Sequence, residues 1–232
     1  MTNTAMSAAH NSRSIFLAGP AGRLEAILWT PVALEAASAA PVAVPRWAVV
    51  VCHPHPLFGG TLHNKVVYQT AKSLGALGLP VLRFNFRGAG LSEGVHDGGR
   101  GEAQDVRTAL DFLAAEFPAA RLLLAGFSFG SWVGLRAGCE DARVARLIGL
   151  GIPVNSSDFS YLVRCAKPKL FVHGANDVHG DVGKARELAE SLPGENVFVE
   201  IANADHFFTG KLEQLDHAIT NWMNSARSAT TA

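Results

Sequence analysis

The sequence predicts an α/β domain: a mostly parallel central sheet with an N-terminal antiparallel hairpin and helices on both faces. Three observations carry this reading. Segments such as Trp47–Cys52 and Leu122–Phe127 are apolar without interruption, as in strands buried on both sides; a strand with one wet face would alternate. Amphipathic segments of helical length separate them, the order expected of a layered α/β architecture. The chain has 232 residues, 48% hydrophobic and 17% charged, which suits one sizeable core and not two.

The polar residues 1–12 are expected to be a disordered lead-in and 226–232 a disordered tail, leaving 13–225 as the single domain. Ser14–Leu17 and Leu24–Trp29 flank Gly19-Pro20-Ala21-Gly22 and read as the hairpin. Pro31 to Pro45, rich in Ala and Pro, reads as a loop insertion with one helical turn around Leu34-Glu35-Ala36. Strand and helix then alternate: strand Trp47–Cys52, helix 65–77, strand Val81–Phe86, helix 102–117 closed by Pro118, strand Leu122–Phe127 and helix 129–138. Strands Leu147–Val154 and Lys169–Val172, helix 184–191, strand Val197–Ile201 and helix 211–224 complete it.

Lys+Arg and Asp+Glu both number 20, so net charge makes no case for nucleic acid or an anionic membrane as partner. No apolar run approaches the roughly 20 residues that span a bilayer, and the first residues carry no apolar signal core. Cys52, Cys139 and Cys165 form no C-x-x-C pair, and Cys52, at the end of an apolar strand, reads as a buried free thiol. A reduced, cytoplasmic setting is the expectation, and nothing marks an oligomeric state.

Gly126-Phe127-Ser128-Phe129-Gly130 joins a strand to a helix. A chain that turns so sharply passes close to its own backbone, so glycine fits on both sides of the serine. A serine hydroxyl is a poor nucleophile until a base takes its proton. Histidine suits that task and needs an acceptor for its other ring N–H. Ser128, Asp177 and His206 occur in that order, each just past a predicted strand, at the edge where such sheets gather ligands. Asp181 and Asp158 are alternative acids. Asp205 reads as a loop cap and His173 as a hydrogen-bonded core histidine. His53 and His55 invite a metal reading, but no Asp, Glu or Cys lies nearby in sequence to complete a ligand set. Gly88-Ala89-Gly90 lacks the third glycine of a dinucleotide loop, since position 93 is Glu93; Arg87 reads as hydrogen-bonded to carbonyls. No metal or organic cofactor is expected.

The pattern resembles the α/β-hydrolase superfamily over nearly the whole chain, and more narrowly the small lidless bacterial hydrolases with His-Pro-His-Pro before Gly-Gly. The stretches that carry this are His53 to Thr61 (HPHPLFGGT), Phe84 to Gly94 (FNFRGAGLSEG), Gly126 to Gly130 (GFSFG) and Ala204 to Phe208 (ADHFF). Asn85 stands where many relatives carry Asp. The resemblance implies a serine hydrolase with esterase-like activity on a small-molecule acyl substrate, through an acyl-enzyme on Ser128. It also implies an oxyanion hole made by the N–H of Phe129 and one from the loop after the first parallel strand. Pro54 and Pro56 have no N–H, so Leu57 is the candidate, with His53 or His55 locking the loop. The short stretch Asn155 to Pro168 leaves no room for a lid domain. An open site near Phe58, Phe129, Phe159, Tyr161 and Phe207 is therefore expected. A thioesterase, amidase, lactone or C–C hydrolase would use the same machinery; a non-catalytic binding module is the rival from another class.

Overall fold

The structure is a computed structural model that describes residues 9–35 and 45–228. Strands β1 (His10–Gly19) and β2 (Gly22–Pro31) form the antiparallel hairpin. Here the structure corrects the expected lead-in: His10 to Ser12 belong to β1. Their polarity suits an exposed edge strand, and pairing with Trp29 to Pro31 holds them, with the His10 ring stacked 4.2 Å from that of Trp29. A single turn, α1 (Val32–Glu35), follows; the rest of the expected insertion, 36–44, lies outside the described residues, as do 1–8 and 229–232 of the expected lead-in and tail.

The alternating part comprises β3 (Trp47–Cys52), α2 (Lys65–Ala76), β4 (Val81–Phe84), α3 (Arg100–Glu116), β5 (Arg121–Phe127), α4 (Phe129–Glu140), β6 (Val144–Leu150), β7 (Lys169–Gly174), α5 (Val182–Ser191), β8 (Asn196–Ile201) and α6 (Leu212–Ser228). Sheet order is β1-β2-β4-β3-β5-β6-β7-β8. Strands β3 to β8 are mutually parallel, with β2 antiparallel to β4. The chain moves outward from β3 to β4 and returns to β5 on the other side of β3. That reversal places the loops after β3 and β5 side by side, at the crevice where such sheets bind ligands.

Alternation along buried strands divides the core. Val50 and Cys52 of β3, with Leu122 and Leu124 of β5, face Val106 and Leu110 of α3 and Val133 of α4. Val49, Val51, Leu123 and Ala125 face Val66 and Leu74 of α2 and Leu215 and Ile219 of α6. Each fully buried Val or Leu contributes roughly 1.5–3 kcal/mol relative to exposure, which is why both faces need helices.

Several boundaries shift for physical reasons. Strand β6 covers Val144–Leu150 instead of Leu147–Val154 because Gly151, at φ 48°, breaks the extended run. Strand β4 ends at Phe84, and the Phe86 N–H goes to the His53 ring instead of to a neighbouring strand. Helix α6 continues to Ser228, into the expected tail, since Ala226-Arg227-Ser228 contains no helix breaker. Cys52 is the buried free thiol expected, and Cys139 at the end of α4 is disulfide-bonded to Cys165, a pairing their spacing does not mark. No described helix is long and apolar enough to cross a membrane.

Candidate active site

Strand β5 ends at Phe127 and α4 begins at Phe129, so Ser128 alone makes the turn, at φ 54° and ψ −124°. A non-glycine residue there is strained by an amount on the order of 1–3 kcal/mol. Its flanking glycines are obligatory. A Cβ on Gly126 would lie 2.3 Å from the Gly130 carbonyl oxygen, and one on Gly130 would lie 2.4 Å from the His53 carbonyl oxygen. The turn is pinned by the Ser128 N–H, which donates to the Leu150 carbonyl at 2.9 Å.

The loop after β8 brings His206 over the turn. Ser128 Oγ and His206 Nε2 are 2.9 Å apart, and His206 Nδ1 is 2.7 Å from Asp177 Oδ2. A carboxylate can only accept, so His206 carries its proton on Nδ1, leaving the Nε2 lone pair for the serine hydroxyl. Asp177 Oδ1 accepts the N–H groups of His179 at 2.8 Å and Gly180 at 3.1 Å. Burial raises the Asp177 pKa, but these bonds, that from His206 foremost, outweigh it and leave the carboxyl below its ordinary range. His173, fully buried on β7, donates from Nε2 to the Gly180 carbonyl at 2.7 Å and lies 3.4 Å from Asp177 Oδ2. It is a core histidine that braces the acid loop.

The alternative acids are occupied elsewhere. Asp181 caps α5 through Lys184 N–H, Asp158 accepts from Ser160, and Asp205 accepts from Thr209 N–H at the start of the closing turn. Arg87 does not bind carbonyls, as its position suggested. It grips the fully buried Asp105 carboxylate through Nε and Nη2, and the Arg87 N–H adds a third donor. Asn85 accepts from Leu62 N–H and donates to Glu25, so it ties the β3–α2 loop to the hairpin.

Two residues that line the cavity with Ser128 carry backbone N–H groups with no acceptor among the described residues. Phe129 is the first residue of α4, where no intrahelical partner exists. The other is not Leu57. The Leu57 N–H donates to His55 Nδ1 at 3.2 Å, and its side chain is exposed. Phe58, Gly59 and Gly60 donate to His55 and Pro56 carbonyls in the 3-10 turn Pro56–Phe58. Between Pro54 and Gly60, among the described residues, the His55 N–H is the one without an acceptor. Proline on each side of His55 hid it from a search for the first donor after the motif. His53 anchors the loop from inside: Nδ1 donates to the Pro54 carbonyl at 2.6 Å and Nε2 accepts the Phe86 N–H at 2.9 Å. Burial pushes its pKa down to about 4, so it is neutral.

A cavity of about 250 Å³ opens over Ser128, walled by His55, Phe58, Phe129, Phe207 and His179 together with Asn64, Ser156 and Ser157. Phe159 and Tyr161, expected at the site, are not among its walls. Phe159 is in the core, and Tyr161 packs on α4 with its hydroxyl donating to the Trp132 carbonyl at 2.8 Å. Missed in the sequence were Asn64 and His179, which carry no motif of their own. A larger groove of about 640 Å³ between β8 and α6 contains neither the serine nor its base. Among the described residues no cluster of three or more His, Cys, Asp or Glu could hold a metal ion.

The family model described as "Serine aminopeptidase, S33" matches residues 43–158. An uncharacterized protein of Rickettsia prowazekii is 35% identical over 92% of this chain and 90% of its own length. Among solved structures, an α/β serine hydrolase without a lid from Xanthomonas campestris is 36% identical, covering 91% of this chain and 93% of its own, with a TM-score of 0.81. An α/β serine hydrolase homologue from Coxiella burnetii is 33% identical over 90% and 96% of the two chains, with a TM-score of 0.80.

Proposed function

Since the chain belongs to the α/β-hydrolase superfamily, we propose that it is a serine hydrolase that cleaves small acyl esters through Ser128, His206 and Asp177. The observation that carries this is the unbroken line from Ser128 Oγ to His206 Nε2 at 2.9 Å and from His206 Nδ1 to Asp177 Oδ2 at 2.7 Å, at the floor of an open cavity.

In the first half-reaction Ser128 Oγ attacks the acyl carbon while His206 Nε2 takes the hydroxyl proton. Negative charge moves to the carbonyl oxygen, where the N–H groups of Phe129 and His55 receive it. One such donor is typically worth about 3 kcal/mol of barrier. The intermediate collapses, and the proton on His206 goes to the departing alcohol oxygen. Water then enters, gives a proton to His206 and attacks the acyl-serine. Collapse returns the proton to Ser128 Oγ and releases the acid. Asp177 stays ionised throughout and holds the Nδ1–H tautomer.

The cavity size and the covering segments support small substrates. Between β6 and β7 the described chain forms only a short 3-10 turn, Ser160–Arg164, so the site is open. A volume of about 250 Å³ suits a short alkyl or single-ring acyl group. Esters are favoured over amides because an alkoxide is a far less basic leaving group than an amide anion, so collapse toward the acyl-enzyme needs less help from the proton on His206.

Hydrolysis of p-nitrophenyl acetate and butyrate tests the reading. Ser128→Ala should lose at least about 10⁴-fold in kcat, and a fluorophosphonate should label wild type at Ser128. Equal activity in the two proteins would discard the serine mechanism.

A further inference from the structure

We propose that His96, held by the buried carboxylate of Glu102, is the positioning residue of the oxyanion hole and acts on both donor residues at once. The proposal rests on the reading of Phe129 and His55 as donors given above. His96 lies in the loop between β4 and α3. Its ring centroid is 4.7 Å from that of His55 and 5.5 Å from that of Phe129, and those two rings are 4.8 Å apart. Three rings thus close a triangle, each from a different segment: the loop after β3, the loop after β4 and the start of α4. Two of them belong to the residues that line the cavity with Ser128 and carry N–H groups with no acceptor among the described residues.

His96 is itself fixed from behind. Its Nδ1 lies 2.8 Å from Glu102 Oε1, and the Glu102 side chain is fully buried. That carboxylate also accepts the N–H groups of Asp97 at 2.9 Å and Gly99 at 2.8 Å. A buried carboxylate needs such compensation, and these two bonds already supply it while capping α3. The approach of His96 is short but not aligned as a hydrogen bond, so the buried carboxylate fixes the ring by close contact. The remaining neighbours of Phe129, Phe86 at 5.7 Å and Trp132 at 5.8 Å, leave the His55 ring untouched. Among the ring contacts of the described residues, that of His96 reaches both.

An oxyanion donor must be held within a fraction of an ångström of its working place. The loop carrying His55 is otherwise exposed on its outer side, with Leu57 68% and Phe58 85% exposed. Loss of the His96 ring would free the His55 ring on its inner side and let both N–H groups drift. Outright loss of a donor costs about 10²–10³ in kcat; displacement should cost about 10-fold.

The test uses His96→Ala and His96→Phe in the full-length enzyme with p-nitrophenyl butyrate, and an alkyl boronic acid as mimic of the tetrahedral intermediate. His96→Ala is expected to lower kcat about 10-fold with KM within about twofold, and to weaken the boronic acid by the same factor as kcat/KM. His96→Phe, which rebuilds the ring contacts, should recover kcat to within about threefold and guards against a folding defect in the alanine variant. The proposal is overturned if His96→Ala keeps wild-type kcat, if it changes only KM, or if His96→Phe is as impaired as His96→Ala. A Ser128→Ala control separates the two failures. Residual wild-type activity there removes the underlying reading, whereas a dead Ser128→Ala with normal His96→Ala removes this proposal alone.

Discussion

The two halves of the site are built from different materials. On one side Ser128, His206 and Asp177 meet through their side chains, each fixed by directed hydrogen bonds within buried loops. On the other, Phe129 and His55 offer only backbone N–H groups, held by packing of rings and by the shape of a proline-rich turn. Chemistry that resides in side chains is specified residue by residue. Chemistry that resides in the backbone is specified by whatever supports that backbone, here His53, His96 and two glycines.

That contrast predicts the size of mutational effects. The largest belongs to the side-chain half. Asp177→Asn removes the charge that fixes the His206 tautomer, and a change of this kind in a Ser–His–Asp site costs about 10⁴-fold in kcat. Binding groups are untouched, so KM should hold; a loss confined to KM would contradict the role assigned to Asp177. Next comes a residue with no chemistry at all. Gly130→Ala places a Cβ 2.4 Å from the His53 carbonyl oxygen and 2.6 Å from that of Cys52. Both obstacles are backbone, so α4 and the β3 loop must part. A loss of about 10²-fold in kcat, with a lowered melting temperature, is expected from steady-state kinetics and thermal unfolding. A Gly130→Ala enzyme with wild-type values in both would show that the elbow and the oxyanion loop are not tightly coupled.

His53 shows the cost of holding a backbone donor with a buried titratable ring. Burial lowers its pKa from the ordinary 6.5 to about 4. Between those values the unfolded chain binds a proton that the folded chain refuses. Stability from this group is therefore complete above about 6.5 and is lost as pH falls toward about 4, by roughly 3 kcal/mol. Buried His173, whose pKa is also lowered by burial, adds in the same sense. The distinguishing measurement is urea unfolding of wild type and His53→Gln at pH 7 and pH 4.5. The variant should be the less stable at pH 7 and lose clearly less on acidification; an unchanged pH dependence would remove His53 as its source.

The same division decides what could be read from the sequence. Ser128, Asp177 and His206 each stand at the end of a strand and carry distinctive chemistry, so order and element position pick out three side chains that the structure brings into hydrogen-bond contact. The second oxyanion donor proposed above is not selected in this way. The sequence points to Leu57, the first residue after the prolines with an N–H, yet the His55 ring accepts that N–H while the His55 N–H has no acceptor among the described residues. Both facts depend on the 3-10 turn Pro56–Phe58, which local sequence does not announce. Fold boundaries followed suit. Runs of apolar residues mark β3 and β5 well, because burial on both faces forbids alternation. The polar start of β1 at His10 was invisible, since an edge strand tolerates what a coil also shows. The Cys139–Cys165 pairing, between α4 and the end of a 3-10 turn, depends on tertiary approach alone.

The smallest effects concern the cavity wall, where aromatic residues looked alike in the sequence and differ in the structure. Phe58 lines the cavity while 85% exposed, and Phe207 lines it at 41%. Tyr161, placed beside them by sequence, points its hydroxyl into α4 and touches the Arg136 guanidinium at 4.9 Å. Removing the ring at Phe58 or Phe207 should forfeit on the order of 1 kcal/mol of apolar contact with an acyl chain, a rise of about fivefold in KM for the butyrate ester. The acetate ester reaches less far and should feel less. Tyr161→Phe should leave both KM values alone. Because acetate and butyrate share the same reacting carbonyl, a KM increase that is equal for the two esters would place Phe58 outside the acyl path, and a Tyr161→Phe effect larger than that of Phe58→Ala would move the substrate toward the 3-10 segment 160–164.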